Sequence, residues 1–157
     1  MHGCKCGFYG DSTRECRCTP GQIQQYLGKI SGPLLDRIDI HVEVPAVPYK
    51  ELRGGSQAEP SADIRARVDA ARAIQQKRGY YNSRMPSRMI RKQCALDDAG
   101  ERTLEMAVRK MGLSARAHDR ILKVARTIAD LGHSETVSAK HVAEAVQYRS
   151  LDRNYWT

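Results

Sequence analysis

Ser114–Arg149 reads SARAHDRILKVARTIADLGHSETVSAKHVAEAVQYR, and this stretch decides the fold class. Ser114 stands where a helix N-cap is expected, and Ile121, Leu122, Ala125, Ile128 and Leu131 then recur on one wide stripe at helical spacing. Gly132 ends the run. Ser138 opens a second helix, through Val142, Ala145 and Val146 to Arg149. The same grammar extends upstream. Asp97 is placed to cap a helix that buries Leu104, Val108 and Met111 and closes at Gly112. Ser87–Cys94 reads as a short helix after Pro86. Four helices with caps and short connections predict a small antiparallel bundle.

Ahead of the bundle, Ser61 is expected to cap a helix to Arg78 with Ile64, Val68, Ala71 and Gln75 facing inward. Its other faces carry Arg65, Arg67, Arg72, Lys77 and Arg78. Residues 45–60 hold three prolines and the Gly54-Gly55 pair, the composition of a linker and a candidate domain boundary. Before the linker comes Ile30–Val44, ISGPLLDRIDIHVEV. Its Ser-Gly-Pro stops a helix, Leu34-Leu35 makes a short apolar turn, and Asp36-Arg37 follows. Ile38, Ile40, Val42 and Val44 then alternate with Asp39, His41 and Glu43, which predicts a strand with one buried face. The helix it terminates starts at Thr19-Pro20-Gly21-Gln22, a capping box with proline in the first turn, and carries Ile23, Tyr26, Leu27 and Ile30 as a core stripe.

Composition sets limits on function. The chain has 157 residues and a formal net charge of +8. Such a balance favours polyanionic partners, nucleic acid or nucleotide phosphates, and equally serves as a solvated surface. Aromatic residues make up only 6%, so the core must be aliphatic and alanine-rich. No apolar run is long enough to span a membrane and no signal-peptide core is present, so a cytoplasmic chain with no membrane partner is expected. No phosphate loop, no Ser-His-Asp elbow and no His-Glu-x-x-His occurs, and the five histidines show no ligand spacing. The chain by itself therefore carries no complete catalytic centre.

Two groups of residues still point to chemistry. Cys4, Cys6, Cys16 and Cys18 crowd a glycine-rich loop with little core of its own. In a reducing compartment two Cys-x-Cys pairs suggest one tetrahedral structural zinc, with unliganded cysteines as the alternative, since Cys-x-Cys strains two ligands onto one metal. The second group is two arginines. Arg37 sits at a rigid corner after the Gly-Pro break, and Arg116 lies in the first turn of the helix capped by Ser114. A cation at a helix N-terminus is unfavourable by about 0.3–1 kcal/mol. An anion is therefore expected at that end, where the guanidinium fork suits phosphate; the plainer alternative is a solvated arginine.

The runs CKCGFYGDSTRECRCTPGQIQQYLGKISGPLLDRIDIHVEVPAVPYKEL (residues 4–52) and GLSARAHDRILKVARTIADLGHSETVSAKHVAEAVQYRSLD (residues 112–152) are similar to the C-terminal portion of magnesium-chelatase-like AAA+ ATPases of the bacterial ComM competence type. The resemblance implies a mainly α fold. Residues 1–48 would be the remnant of an AAA+ core (a helix, a short strand and the Cys-rich loop), 49–60 a linker, 61–150 a helical lid domain and 151–157 a tail. The arginine of LLDRID resembles the family's arginine finger, which reaches nucleotide bound by the neighbouring subunit; this falls on Arg37. The arginine of LSAR resembles the second sensor, which contacts the γ-phosphate; this falls on Arg116. The family's first sensor asparagine precedes the Cys-x-Cys-Gly run in an Asn-Pro-Cys sequence. Here that place reads His2-Gly3-Cys4, so the sensor is expected to be absent and Met1–Gly3 to mark a boundary. The paired Cys-x-Cys motifs belong to the ComM-type pattern.

In function the resemblance implies ATP and magnesium as cofactors of a complete homo-hexamer that drives DNA translocation and branch migration during natural transformation. This chain by itself would be a monomer without turnover, and magnesium insertion into porphyrin is not expected. Two other readings compete on the residues themselves: a zinc-stabilised, stand-alone nucleic-acid-binding module using the arginines of Ser61–Arg78, and a purely structural interaction domain.

Overall fold

A computed structural model of the chain describes residues 2–11, 13–44, 47, 49, 53 and 58–149. Most of the expected linker and all of the expected tail lie outside the described residues. The chain divides into two compact units, residues 1–35 with 42–57, and residues 36–41 with 58–157. The short segment 36–41 thus belongs to the helical unit.

Among the described residues the first unit holds the Cys-rich loop and the helices α1 (Pro20–Leu27) and α2 (Gly32–Leu35). The capping box forms as the sequence predicts: Gln22 Oε1 accepts the Thr19 N–H at 3.0 Å, and Thr19 Oγ1 accepts the Gln22 N–H at 3.4 Å. Helix α1 ends at Leu27, before the last apolar position of its stripe, and Ile23, Tyr26 and Leu27 are half-buried, with no buried residue in the helix. Gly32-Pro33 is the start of α2 instead of a plain break, because proline's fixed φ suits a helix's first turn.

The strand expected over residues 38–44 is not formed. Among the described residues the sole β-pairing is an isolated parallel bridge between Leu96 and Val137. A strand needs a neighbour to pair with in a ladder, and among the described residues none pairs in this way with residues 38–44. Neither face of the alternation is buried as a set: Ile38, Ile40, Val42 and Val44 are exposed, Val44 at 84%, as are Asp39 and Glu43, and His41 alone of these residues is buried.

The second unit contains α3 (Ser61–Arg78), a 3₁₀ turn (Asn82–Arg84), α4 (Ser87–Gln93), α5 (Asp98–Met111), α6 (Ala115–Leu131) and α7 (Ala139–Gln147). Asp97 caps α5 by accepting the Gly100 N–H at 2.7 Å, and Gly112 closes it in the left-handed region at φ 61°. Ser114 caps α6 by accepting the Ala117 N–H at 3.1 Å. At α7 the His141 side chain completes the box, its Nδ1 accepting the Ser138 N–H at 3.1 Å. Helix α3 departs from expectation. Pro60 occupies the N-cap and Ser61 is the first helical residue. Ala71 and Gln75 are buried, but Ile64 and Val68 are exposed, so only the C-terminal half is docked.

The core is aliphatic, as the scarcity of aromatics requires. Met85, Ile90, Leu104, Ile121, Leu122, Val137 and Val142 fill it, and Ala125, Ala129 and Ala145 allow α6 and α7 to approach closely. Leu131, expected on the core stripe, is 41% exposed. Cys94 is part of this core; burial pushes its thiol up to about 11, which makes it a packing residue without nucleophilic character at neutral pH.

A buried polar cluster fastens α3 to α6. The Asp130 carboxylate, fully buried, accepts from Arg126 Nε at 3.0 Å, from Asn82 Nδ2 at 2.8 Å and from both terminal nitrogens of Arg78. Arg78 also donates to Asn82 Oδ1, and Gln75 Oε1 accepts the Asn82 N–H, both at 3.1 Å. Two guanidinium groups and an amide thus converge on one carboxylate, which satisfies the charge that burial would otherwise penalise. No described helix is long and apolar enough to cross a membrane.

Candidate phosphate-facing corner and cysteine cluster

Residues 36–41 run along the helical unit, and the corner holding Arg37 is built from them. Asp36 Oδ1 accepts the Ser114 hydroxyl at 2.9 Å, and Asp36 Oδ2 accepts from Arg116 Nη1 at 3.4 Å. Arg149 lies underneath, 1% exposed, donating to the Ile38 carbonyl at 2.8 Å with its other terminal nitrogen 3.9 Å from Asp36. Arg120 pairs with Asp39, and the His41 N–H donates to the Tyr148 carbonyl at 2.7 Å.

Arg37 itself is exposed and makes no hydrogen bond or ion pair among the described residues. Arg116 is also largely open, its side chain 57% exposed with one of its five donors engaged. The structure therefore brings the two arginines singled out in the sequence to one corner, with Asp36 next to Arg37 in the chain and bonded to Arg116. The anion expected at the N-terminus of α6 is at least in part this carboxylate, which offsets the misplaced charge of Arg116 against the helix dipole. Beside the corner a groove of about 940 Å³ runs along α6, lined among others by Arg116, Arg120, Lys123, Val124 and Ile128.

Sequence reasoning missed Asp36, Asp39, Arg120 and Arg149. The only local signal was the pair of acidic residues flanking Arg37; their partners lie about eighty residues or more away.

The four loop cysteines do converge. Cys4, Cys6, Cys16 and Cys18 place their sulfurs within 4.8 Å of one another, and no histidine or carboxylate joins them among the described residues. Cys4 is 3.3 Å from Cys6 and 3.7 Å from Cys16, and Cys6 is 3.6 Å from Cys16. A tetrahedral zinc with Zn–S bonds of about 2.3 Å requires sulfurs roughly 3.8 Å apart, so the Cys4, Cys6 and Cys16 sulfurs stand slightly closer than that, in a four-sulfur cluster that spans up to 4.8 Å. The loop achieves this through turns at Gly7 and Gly10, with φ of 86° and 81°, the left-handed region where a side chain would be strained. The Gly7 N–H bonds the Cys4 carbonyl at 3.2 Å, folding the first Cys-x-Cys back on itself.

The thiols are driven apart in acidity. The Phe8 backbone N–H, then the Cys4 side chain, bring Cys6 down to about 6. The Cys18 backbone N–H pulls Cys16 down, but desolvation and the neighbouring Cys6 and Cys4 sulfurs outweigh it and push Cys16 up to about 12. All-sulfur donors in a small tetrahedron fit zinc.

The family described as magnesium chelatase, subunit ChlI C-terminal, matches residues 58–149, and magnesium chelatase, subunit ChlI, matches residues 1–52. Competence protein ComM of Haemophilus influenzae is 45% identical over 139 residues, covering 87% of this chain and 27% of that protein. Uncharacterized protein YifB of Salmonella typhimurium is likewise 45% identical over 139 residues, 28% of its own length. An uncharacterized Mycobacterium bovis protein is 32% identical over 145 residues, again 28% of its length. The chain thus spans little more than a quarter of the length of the curated relatives it matches. The matched regions and the identities together place it: the chain belongs to the magnesium-chelatase family, and within it to the ComM type.

Proposed function

We propose that this chain is the lid-bearing C-terminal part of a ring-forming AAA+ ATPase of the ComM type. In the complete protein Arg37 acts as an arginine finger on ATP bound by the neighbouring subunit, and Arg116 as a sensor contacting the same phosphates. The observation that carries this reading is the corner itself: an open Arg37 directly follows Asp36 in the chain, and Asp36 bonds the open Arg116, in a chain that has no phosphate loop of its own. Arginine forks aimed at a transferring phosphoryl group stabilise the charge that develops on it. ATP and its magnesium would be held mainly by sequence outside this chain. The assembled ring, a homo-hexamer, would use hydrolysis in the cytoplasm to move DNA and drive branch migration. Residues 1–48 would complete the ATPase core and residues 61–150 form the lid.

The test is reconstitution. The 157-residue chain alone is expected to hydrolyse no ATP, and the full-length protein containing it to hydrolyse ATP and migrate branched DNA. A full-length protein that binds DNA without any ATP turnover would sink the proposal.

We further propose one structural zinc at Cys4, Cys6, Cys16 and Cys18, serving to close a loop that has little apolar core. Metal binding of this kind supplies folding free energy directly. Elemental analysis is expected to give one zinc per chain, and chelation to expose residues 4–18 to protease while the thermal midpoint of the helical unit stays in place. Metal-free protein with an equally protected loop would remove the zinc.

A further inference from the structure

We infer that Asp36, Asp39 and Arg120 are positioning residues that set where Arg37 points, an inference resting on the finger reading above. The two acidic residues bracket Arg37 in the chain, one immediately before it and one two residues after. Both carboxylates are taken by the same helix, α6. Ser114 and Arg116 bond Asp36 at its N-terminal end, and Arg120, one turn further on the same face, takes Asp39. Between the two, Arg149 fixes the Ile38 carbonyl at 2.8 Å, and after them the His41 N–H is held by Tyr148 at 2.7 Å. The Asp36 side chain before Arg37 is therefore fastened to α6 and its cap, and the backbone after Arg37 to Tyr148 and Arg149 just past α7, while the Arg37 side chain makes no bond to a described residue. Its placement is inherited from the helix that also carries Arg116.

The Asp39–Arg120 pair is half-exposed, with side-chain exposures of 55% and 25%. Exposed ion pairs of this kind contribute little to folding stability. A fixed direction for the finger is a different matter, because a displacement of about 1 Å in a catalytic group can cost about a hundredfold in rate. The pair's effect should therefore appear in turnover before it appears in stability.

The experiment is a charge swap in the full-length protein, with thermal unfolding of each variant measured alongside. Asp39→Asn is expected to lower kcat for ATP about tenfold or more, leaving KM and the thermal midpoint unchanged. The double variant Asp39→Arg with Arg120→Asp should restore most of the lost turnover, since coupled partners are not additive. Wild-type kcat in Asp39→Asn overturns the inference, as does a swap that fails to restore turnover at an unchanged midpoint. Should Asp39→Asn lower the midpoint, Arg120→Lys decides: it keeps the charge but loses the planar fork. Reduced kcat at an unchanged midpoint then supports the positioning role, and full turnover overturns it. Arg37→Ala run in parallel separates the two levels. Normal turnover in Arg37→Ala removes the finger itself; a dead Arg37→Ala beside a normal Asp39→Asn removes only the positioning role.

Discussion

Arg37→Ala in the assembled ring is expected to lower ATP hydrolysis by about 10³-fold or more, the scale on which arginine fingers act, with nucleotide affinity nearly intact. The split follows from where the residue sits. Arg37 is exposed and bonded to nothing among the described residues, so its removal leaves the fold undisturbed. A group that contacts the phosphates chiefly as charge develops on them changes kcat and leaves binding alone. Arg116, which also bonds Asp36, should show a mixed effect on KM and kcat when replaced by alanine. Steady-state kinetics with a separate nucleotide-binding measurement on full-length protein checks both. Normal hydrolysis by Arg37→Ala would show that the corner has another purpose.

The largest effect on stability is expected at Asp130. Asp130→Ala removes the one carboxylate between Arg78 and Arg126 and leaves two guanidinium groups in a largely closed site without their counter-charge. Breaking a buried pair from one side costs about 3–5 kcal/mol. For a unit of this size each kcal/mol moves the midpoint by about 4–8 °C, so a fall of roughly 12–40 °C is expected. Asn82 would lose its Asp130 contact at the same time, and α3 would lose most of what fastens it to α6. Thermal unfolding followed by far-ultraviolet circular dichroism reads this directly. A midpoint within a few degrees of the parent would mean that the cluster relaxes to water at little cost.

What the sequence disclosed, and what it concealed, divides along the range of the forces involved. Capping is decided within four residues, so Thr19, Asp97, Ser114 and Ser138 were all legible as helix starts. The apolar stripe of α6 and the glycine stops were legible for the same reason. Ser61 is the local exception, since Pro60 takes the N-cap in its place; the other failures came where a local pattern depends on distant partners. The alternation of Ile38–Val44 reads as a strand because strand propensity is local, whereas a ladder needs a pairing neighbour, and none is found among the described residues. Ile64 and Val68 fit a core spacing on α3, yet the docking of that helix is decided at its other end by Arg78 and Asp130, 52 residues apart. At the candidate corner Arg37 and Arg116 could be singled out by their positions after a break and at a helix start. That Arg116 bonds Asp36, the residue before Arg37, could not, because Asp36 and Arg116 are 80 residues apart. The four cysteines were visible as a group from their crowding. Their convergence depends on turns at Gly7 and Gly10, whose left-handed conformations the sequence permits but does not dictate.

The attachment of residues 36–41 to α6 and α7 also has a consequence for the order in which the protein is made. Arg37 leaves the ribosome more than a hundred residues before Tyr148 and Arg149, the groups that hold the backbone beside it. Domains generally fold as units as they are synthesised, and the corner closes only when its last helix has emerged. On the finger reading, a nascent chain thus carries an unset Arg37 until Tyr148 and Arg149 have emerged, and a chain truncated before Tyr148 would keep it unset. A ring admitting such a chain would hold one subunit that occupies its place without serving its neighbour. If Arg37 serves the neighbouring subunit as proposed, the arrival of Tyr148 and Arg149 is a condition for a working active site next door.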